Sequence, residues 1–267
     1  MEESTSFLDT IVLGIVQGLT EFLPVSSSAH LIFVSELQDG KVLPLTLNVA
    51  FHLGTLAAVL FYFWKDWLAI LQVLFRKHPA NAADHVSSRL LPAILIGSVP
   101  AGVIGILFKD EIEQTFHHPS MTIGPLVVMG IALWAVDKYM PSRKLIKNIS
   151  YRDALVIGVT QALALIPGSS RSGSTMMGAR LVGYNRIESA RFSFLLGTPA
   201  MLGAALLESK HLVEASHAPE FWVGIVVAGL VGCLAINILL RLVARFGFLS
   251  FAIYRIGLAV LIYLATA

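Results

Sequence analysis

The chain has 267 residues, 56% of them hydrophobic and 13% charged, with a mean hydropathy of +0.76 and a formal net charge of +2. A soluble domain carries about 25% charged residues, so this composition reads as an integral membrane protein, and the small net charge gives no reason to expect a nucleic-acid partner. The single cysteine, Cys233, excludes a disulfide framework and a thiolate metal site.

The chain opens on Met1-Glu2-Glu3-Ser4, acidic where a secretory signal would be basic, so no cleaved leader is expected. Phe7 to Leu23 is apolar but interrupted by Gln17, Gly18, Thr20 and Glu21, and Pro24 ends it. At about 1.5 Å per residue this piece is short for a hydrocarbon core of about 30 Å. The polar stretch Val25-Ser26-Ser27-Ser28-Ala29-His30 follows, then a second short apolar piece, Leu31 to Leu37. Two half-length helices around a polar loop predict a re-entrant hairpin, with irregular backbone lining a cavity. Leu45 to Trp64 is long enough to span, and an amphipathic helix is expected near Trp67 to Phe75. Further spans are expected at Leu90 to Phe108, Met121 to about Tyr139, Ser189 to Leu207, Phe221 to Leu242 and Leu249 to Ala265. Between the third and fourth lies another half-length piece, Asp153 to Ile166. It is followed by Pro167-Gly168-Ser169-Ser170-Arg171-Ser172-Gly173-Ser174-Thr175 and then Met176 to Val182. The expected fold is therefore all-α, with six transmembrane helices and two re-entrant helical hairpins in one membrane domain over residues 1–267.

A shift of 143 residues brings Pro24, Ser26 and Ser27 onto Pro167, Ser169 and Ser170, and Phe51-His52-Leu53-Gly54-Thr55 onto Phe194-Leu195-Leu196-Gly197-Thr198. With one gap, Gly14, Gln17 and Leu19 fall on Gly158, Gln161 and Leu163. Two blocks at one offset predict a repeat, about 7–139 and 151–266. Three spans per half make it an inverted-topology repeat, an architecture that places its site where broken helices meet near the midplane. The loops 65–89, 138–153, 180–191 and 241–247 fall on one side and hold fourteen of the 19 Lys and Arg. The other side holds Lys41, Lys109, Lys210 and eleven of the 17 acids. The positive-inside rule makes the basic side cytoplasmic and puts both termini outside.

This sorting leaves Glu21, Arg171 and Arg255 within the membrane. Arg255 lies near the end of its span and is expected to snorkel. His52 faces Leu195 in the repeat and is expected to be a packed or interfacial histidine. Glu21 and Arg171 sit on the two hairpins that the repeat brings together, amid Ser26, Ser27, Ser28, His30, Ser169, Ser170, Ser172, Ser174 and Thr175. Charges in hydrocarbon are costly and mark function. A Glu near hydroxyls offers proton transfer, and a Ser beside it a nucleophile. A guanidinium with backbone N–H groups suits a phosphoryl oxygen. The constellation points to phosphoryl chemistry on a membrane-borne substrate.

At these residues the chain closely resembles the bacterial undecaprenyl pyrophosphate phosphatase family, also called the bacitracin-resistance family. Gln17 and Glu21 match the family's motif of Glu or Gln, three residues, then Glu. Pro24 to His30 matches Pro-x-Ser-Ser-Ser-Ala-His, and Pro167 to Thr175 matches Pro-Gly-x-Ser-Arg-Ser-Gly-x-Thr. The resemblance implies hydrolysis of undecaprenyl diphosphate to undecaprenyl phosphate and inorganic phosphate, which recycles the carrier lipid for peptidoglycan synthesis in the bacterial inner membrane. It also implies bacitracin resistance and dependence on a divalent cation, Mg or Ca. Gln17 carries no charge where some members have Glu, so Glu21 alone is the expected metal ligand, sharing the ion with the substrate diphosphate.

On this reading Glu21, Ser27, His30 and Arg171 are the catalytic residues: Ser27 the nucleophile, His30 or Glu21 the base, or either of them activating a water directly. Gln17, Ser26, Gly168, Ser169, Ser170, Ser172, Gly173 and Thr175 are expected to bind the diphosphate, in a site opening towards the periplasm. The alternative function is a polyprenyl-phosphate flippase or transporter, since inverted repeats with broken helices serve transport. The sequence leaves a homo-oligomer open.

Overall fold

The computed structural model describes residues 6–37, 44–75, 88–108, 118–207, 212 and 216–266. The first four residues and Lys41, Arg76, Lys77, Lys109 and Lys210 lie outside them. Among the described residues there are eleven α-helices and no strand, only one isolated parallel bridge, Lys144 to Tyr184. The helices are α1 (Phe7–Phe22), α2 (Ser27–Leu37), α3 (Leu45–Tyr62), α4 (Trp64–Leu74), α5 (Leu90–Leu107) and α6 (Ile123–Tyr139). They continue as α7 (Tyr151–Ala162), α8 (Arg171–Leu181), α9 (Arg186–Leu207), α10 (Pro219–Phe246) and α11 (Leu249–Thr266).

Six segments are long and apolar enough to cross a membrane: α3, α5, α6 with its leading turn from Pro119, α9, α10 and α11. The protein is thus a multi-pass membrane protein, as the run lengths require. The largest boundary difference is α10. It has 28 residues, some 42 Å at about 1.5 Å each, because its last turns carry Arg241 and Arg245 beyond the apolar stretch. α1, α2, α7 and α8 are only 16, 11, 12 and 11 residues long. Their ends are fixed locally. Ser150 caps α7 by accepting from the Asp153 N–H at 3.1 Å, and Ser170 caps α8 by accepting from the Gly173 N–H at 3.1 Å. Pro24 stops α1, since a proline cannot continue the ladder.

Packing follows a regular scheme. α1 and α3 lie on α10; α7 and α9 lie on α5; α6 pairs with α11, and α8 is wedged among α6, α7 and α9. Glycines set the closest approaches. A Cβ on Gly158 of α7 would stand 2.5 Å from the Gly97 carbonyl of α5, and one on Gly18 of α1 would stand 2.8 Å from the Ala228 carbonyl of α10. Buried Phe22 and Phe194 meet edge to face at 5.4 Å where α1 approaches α9.

One face collects the basic connections. Asp66 pairs with Arg191, Lys144 with Asp153 at 2.9 Å, and the Ile146 N–H donates to Glu188 at 2.7 Å. Arg180 is fully buried. Its Nε donates to Asp137 Oδ1 at 2.9 Å, and its other nitrogens donate to the carbonyls of Asp137, Met140, Pro141 and Tyr184. Arg186 takes Asp137 Oδ2 at 2.9 Å, and the Phe248 N–H donates to the same oxygen. Residues 65–66, 137–153, 180–191 and 247–248 therefore sit together, as the charge sorting requires. Burial would push the Asp153 carboxyl up, but bonds from Lys144 and Tyr184 outweigh this and hold it below the usual carboxylate range.

Candidate active site

α1 ends at Phe22, one residue beyond Glu21, which follows Gln17 by four residues and so shares its face. Gln17 Nε2 donates to Glu21 Oε2 at 3.1 Å. The chain then turns through Pro24 and Val25 to Ser26, whose φ of 74° lies in the left-handed region, before α2 starts at Ser27. This reversal carries Ser27 back over α1, and Ser27 Oγ donates to Glu21 Oε2 at 2.7 Å. The second turn ends the same way, with Ser170 at φ 69° just before α8. It presents Arg171 at the N-terminus of that helix, and Arg171 Nη2 donates to Glu21 Oε1 at 2.7 Å. A chain of direct bonds thus links Gln17, Glu21, Ser27 and Arg171 across two turns 150 residues apart.

The turns also bind one another. Ser172 Oγ donates to the Leu23 carbonyl at 3.0 Å, and the Gly168 N–H reaches Ser28 Oγ at 3.4 Å. Ser27 and Arg171 are partly accessible and Ser28 is exposed, whereas Ser26, Gly168, Ser169, Ser170, Ser172, Gly173 and Thr175 are buried. Several of the expected phosphate ligands spend their polar groups internally. Ser170 Oγ meets Ser172 Oγ at 3.2 Å as well as capping α8 through Gly173, and the Ser169 N–H donates to the Ile166 carbonyl at 3.1 Å. Thr175 Oγ1 donates to the Arg171 carbonyl at 2.8 Å and sits against Ser193 Oγ.

His30 stands apart from Ser27. Its Nδ1 faces the Ser26 carbonyl at 2.7 Å, so Nδ1 carries the hydrogen, and its Nε2 meets the Tyr254 hydroxyl at 2.8 Å with the rings stacked. Neither nitrogen is bonded to the Ser27 hydroxyl; Glu21 is.

Three residues outside the sequence-based set belong to this region. His52 on α3 places Nε2 4.0 Å from Glu21 Oε2, with Nδ1 on the Asn48 carbonyl at 2.8 Å. It faces the site rather than simply packing. Gly197 on α9 lies directly under the Arg171 guanidinium, where any Cβ would overlap it. Arg255 corrects an expectation. It does not snorkel: it is fully buried and donates to five main-chain carbonyls. Snorkelling needs a head that prefers water, and here the carbonyls of both turns take its place. A lone Arg in an apolar run was the only sequence signal for it. For Gly197 the signal was its place in the second repeat block.

The electrostatics favour an anion. Glu21 is one carboxylate against two guanidiniums, and Arg171 Nη1 is buried without a protein partner among the described residues. The N-terminus of α8 adds the positive end of a helix dipole beside it. A protein-held divalent cation fits poorly. Both Glu21 oxygens are occupied by Arg171, Ser27 and Gln17, and the described residues hold no group of three His, Cys, Asp or Glu that could bind a metal.

The family model for bacitracin resistance protein BacA matches residues 10–261, nearly the whole chain. The chain belongs to this family. Among its BacA relatives, the undecaprenyl-diphosphatase of Thermomicrobium roseum is 44% identical, covering 96% of each chain. The undecaprenyl-diphosphatase of Desulforudis audaxviator is also 44% identical, over 94% of this chain and 95% of its own. Undecaprenyl-diphosphatase 2 of Stutzerimonas stutzeri is 42% identical over 96% and 97%. The BacA match includes both turns and all the residues that meet at Glu21.

Proposed function

We propose that the chain hydrolyses undecaprenyl diphosphate to undecaprenyl phosphate and inorganic phosphate, the activity for which its relatives are named, and so recycles the carrier lipid and supports bacitracin resistance. The observation that carries the residue roles is the bonded chain Ser27–Glu21–Arg171. Glu21 takes the Ser27 proton, and Ser27 Oγ attacks the terminal phosphorus. That bond forms as the bridging P–O bond breaks, and undecaprenyl phosphate leaves. Glu21 gives its proton to the departing phosphate, and water then attacks the phosphoserine with the same carboxylate as base; the Ser27 Oγ–P bond breaks, Ser27 regains a proton from Glu21, and inorganic phosphate is released. Arg171 and the α8 N–H groups hold the negative oxygens, and a donor preorganised for that charge is worth about 10²–10³ in rate. His30 orients the first turn through Ser26. A divalent ion, Mg or Ca, would be carried by the diphosphate itself, since both Glu21 oxygens are engaged by Arg171, Ser27 and Gln17, and no step is assigned to it.

Further inferences concern the frame. The pairs α1–α2 and α7–α8 are read as re-entrant hairpins. In support, the start of α7 and the end of α8 lie on one face, where Tyr184 Oη donates to Asp153 Oδ2 at 3.1 Å. The two halves are read as an inverted repeat. In support, exchanging α1 with α7, α3 with α9, α5 with α10 and α6 with α11 carries the α1–α10, α3–α10 and α6–α11 contacts onto α7–α5, α9–α5 and α11–α6, whereas the seating of α8 against α6 and α9 has no counterpart at α2. The basic face is read as cytoplasmic, which leaves both termini and the mouth of the site periplasmic, in the inner membrane.

The test is phosphate release by purified protein on undecaprenyl diphosphate, with acid quench to trap phosphoserine. Arg171→Ala and Glu21→Gln should each lose at least about 10²-fold in kcat. If both retain parental phosphate release, the site is misassigned. If they release phosphate normally but fail to move lipid across proteoliposomes, the transport alternative takes its place.

A further inference from the structure

Arg255 occupies a slot between the two turns. Gly130 of α6 leaves room beside its stem, where a Cβ would stand 3.4 Å from the Arg255 Cβ and Cδ, and Gly173 of α8 leaves room beside its head, 3.1 Å from Nη1. From this slot Nη1 donates to the Pro24 carbonyl at 3.2 Å in the first turn. Nη2 donates to the Gly168 and Ser169 carbonyls at 2.8 and 3.1 Å in the second. Nε and Nη2 also reach the Leu126 and Pro125 carbonyls at 3.0 and 3.3 Å, which ties both turns to α6. All five acceptors are main-chain carbonyls, so the guanidinium acts on backbone alone.

The direction of those carbonyls matters for an anionic substrate. A carbonyl oxygen facing a phosphate repels it, and a peptide N–H attracts it. In a trans peptide the two point opposite ways, and the described chain has no cis peptide bond. Of the three turn peptides that Arg255 holds by their oxygens, two spend their N–H groups inside the turns: Val25 on the Leu23 carbonyl and Ser169 on the Ile166 carbonyl. The third, Ser169–Ser170, sends its N–H away from Arg255 at the start of α8. It directly precedes the first-turn N–H groups of α8, which have no partner within the helix, although that of Gly173 is taken by Ser170 Oγ.

We propose that Arg255 is a positioning residue for the phosphatase reaction. It gathers the carbonyls of both turns onto one buried cation, fixes Ser27 and Arg171 in register, and turns the Ser170 N–H to the phosphate. The proposal rests on the reading of the α8 N-terminus and Arg171 as the phosphate clamp.

Arg255→Lys keeps the charge but loses the planar fork, so it cannot hold both turns at once. Misplacing reacting groups by about 1 Å costs on the order of 10²-fold. The expected result is a kcat about 10²-fold lower with KM within about threefold, and a detergent melting temperature close to the parent's. Arg255→Ala should recover at least about tenfold in kcat when guanidinium or methylguanidinium is added, since either ion can refill the slot. An Arg255→Lys enzyme with parental kcat overturns the proposal. So does an Arg255→Ala enzyme whose loss tracks unfolding and is not rescued by either ion. Arg171→Ala is assayed alongside. If it stays active, the clamp reading itself fails; if it is inactive while Arg255→Lys is fully active, only the role of Arg255 falls.

Discussion

Gly197→Ala isolates the site from the fold. A methyl group there would overlap Arg171 Nη1 outright and stand 2.5 Å from its Cζ and 3.0 Å from its Nη2, where ordinary contact begins at 3.4 Å. The guanidinium must retreat by about 2 Å, which stretches the 2.7 Å bond to Glu21 beyond hydrogen-bonding range. Loss of a preorganised donor to the phosphoryl oxygens costs about 10²–10³ in kcat, or roughly 3–4 kcal/mol. Helix propensity acts in the opposite direction, since Ala is favoured over Gly by about 1 kcal/mol in a helix interior. The expected outcome is therefore a folded, near-inactive enzyme, read by phosphate release at saturating lipid and by thermal melting in the same detergent. Gly54, its counterpart in the first repeat block, is the control. A Cβ there would clash with the Ile225 carbonyl and meet the Ala228 Cβ and the Gly229 nitrogen, both at 3.0 Å, all on α10, and no guanidinium is among its nearest neighbours. Gly54→Ala should lower the melting temperature rather than the kcat of the folded fraction. A Gly197→Ala enzyme with kcat within twofold of the parent would refute the placement of Arg171 over this glycine as catalytically meaningful.

Ser27→Ala should lower kcat by at least about 10²-fold and abolish the trapped phosphoserine; a near-normal rate would make water the direct nucleophile. EDTA should slow turnover without changing the melting temperature, because the cation travels with the diphosphate; a drop in melting temperature on chelation would reveal a protein-held ion. Asp137→Asn leaves buried Arg180 without its counter-charge, and breaking such a pair costs about 3–5 kcal/mol. The melt should fall while the kcat of surviving enzyme stays near parental.

The spans were legible because a bilayer dictates run length, and Pro24 and the Pro167 segment mark where the short pieces stop. Glu21 and Arg171 were legible for a related reason: once loop charges are sorted by side, few remain in the apolar pieces. Arg255 was in the same remainder and was misread. Snorkelling and burial look alike in one dimension, and its five partners are carbonyls, which every residue has. His52 was hidden by the repeat itself, since its counterpart Leu195 made a packing role look sufficient. The repeat register also differs by one residue at the turns. Matching letters pair Ser26 with Ser169, whereas the left-handed backbone before each helix pairs Ser26 with Ser170.

The two turns are alike in backbone but unlike in charge, and that difference bears on how the base becomes available. Arg171 donates to Glu21 through Nη2, and its Nη1 is buried without a partner among the described residues. A phosphate oxygen competes for the same guanidinium and is a strong acceptor for it. On the proposed mechanism, Arg171 would turn towards the phosphate and leave Glu21 to Ser27, whose Oγ lies 2.7 Å away on its other oxygen. On that proposal, substrate binding prepares the base that the nucleophile needs. This requires both turns to hold still while one guanidinium changes partners, which is the condition that a second, fully buried guanidinium bonded only to backbone supplies.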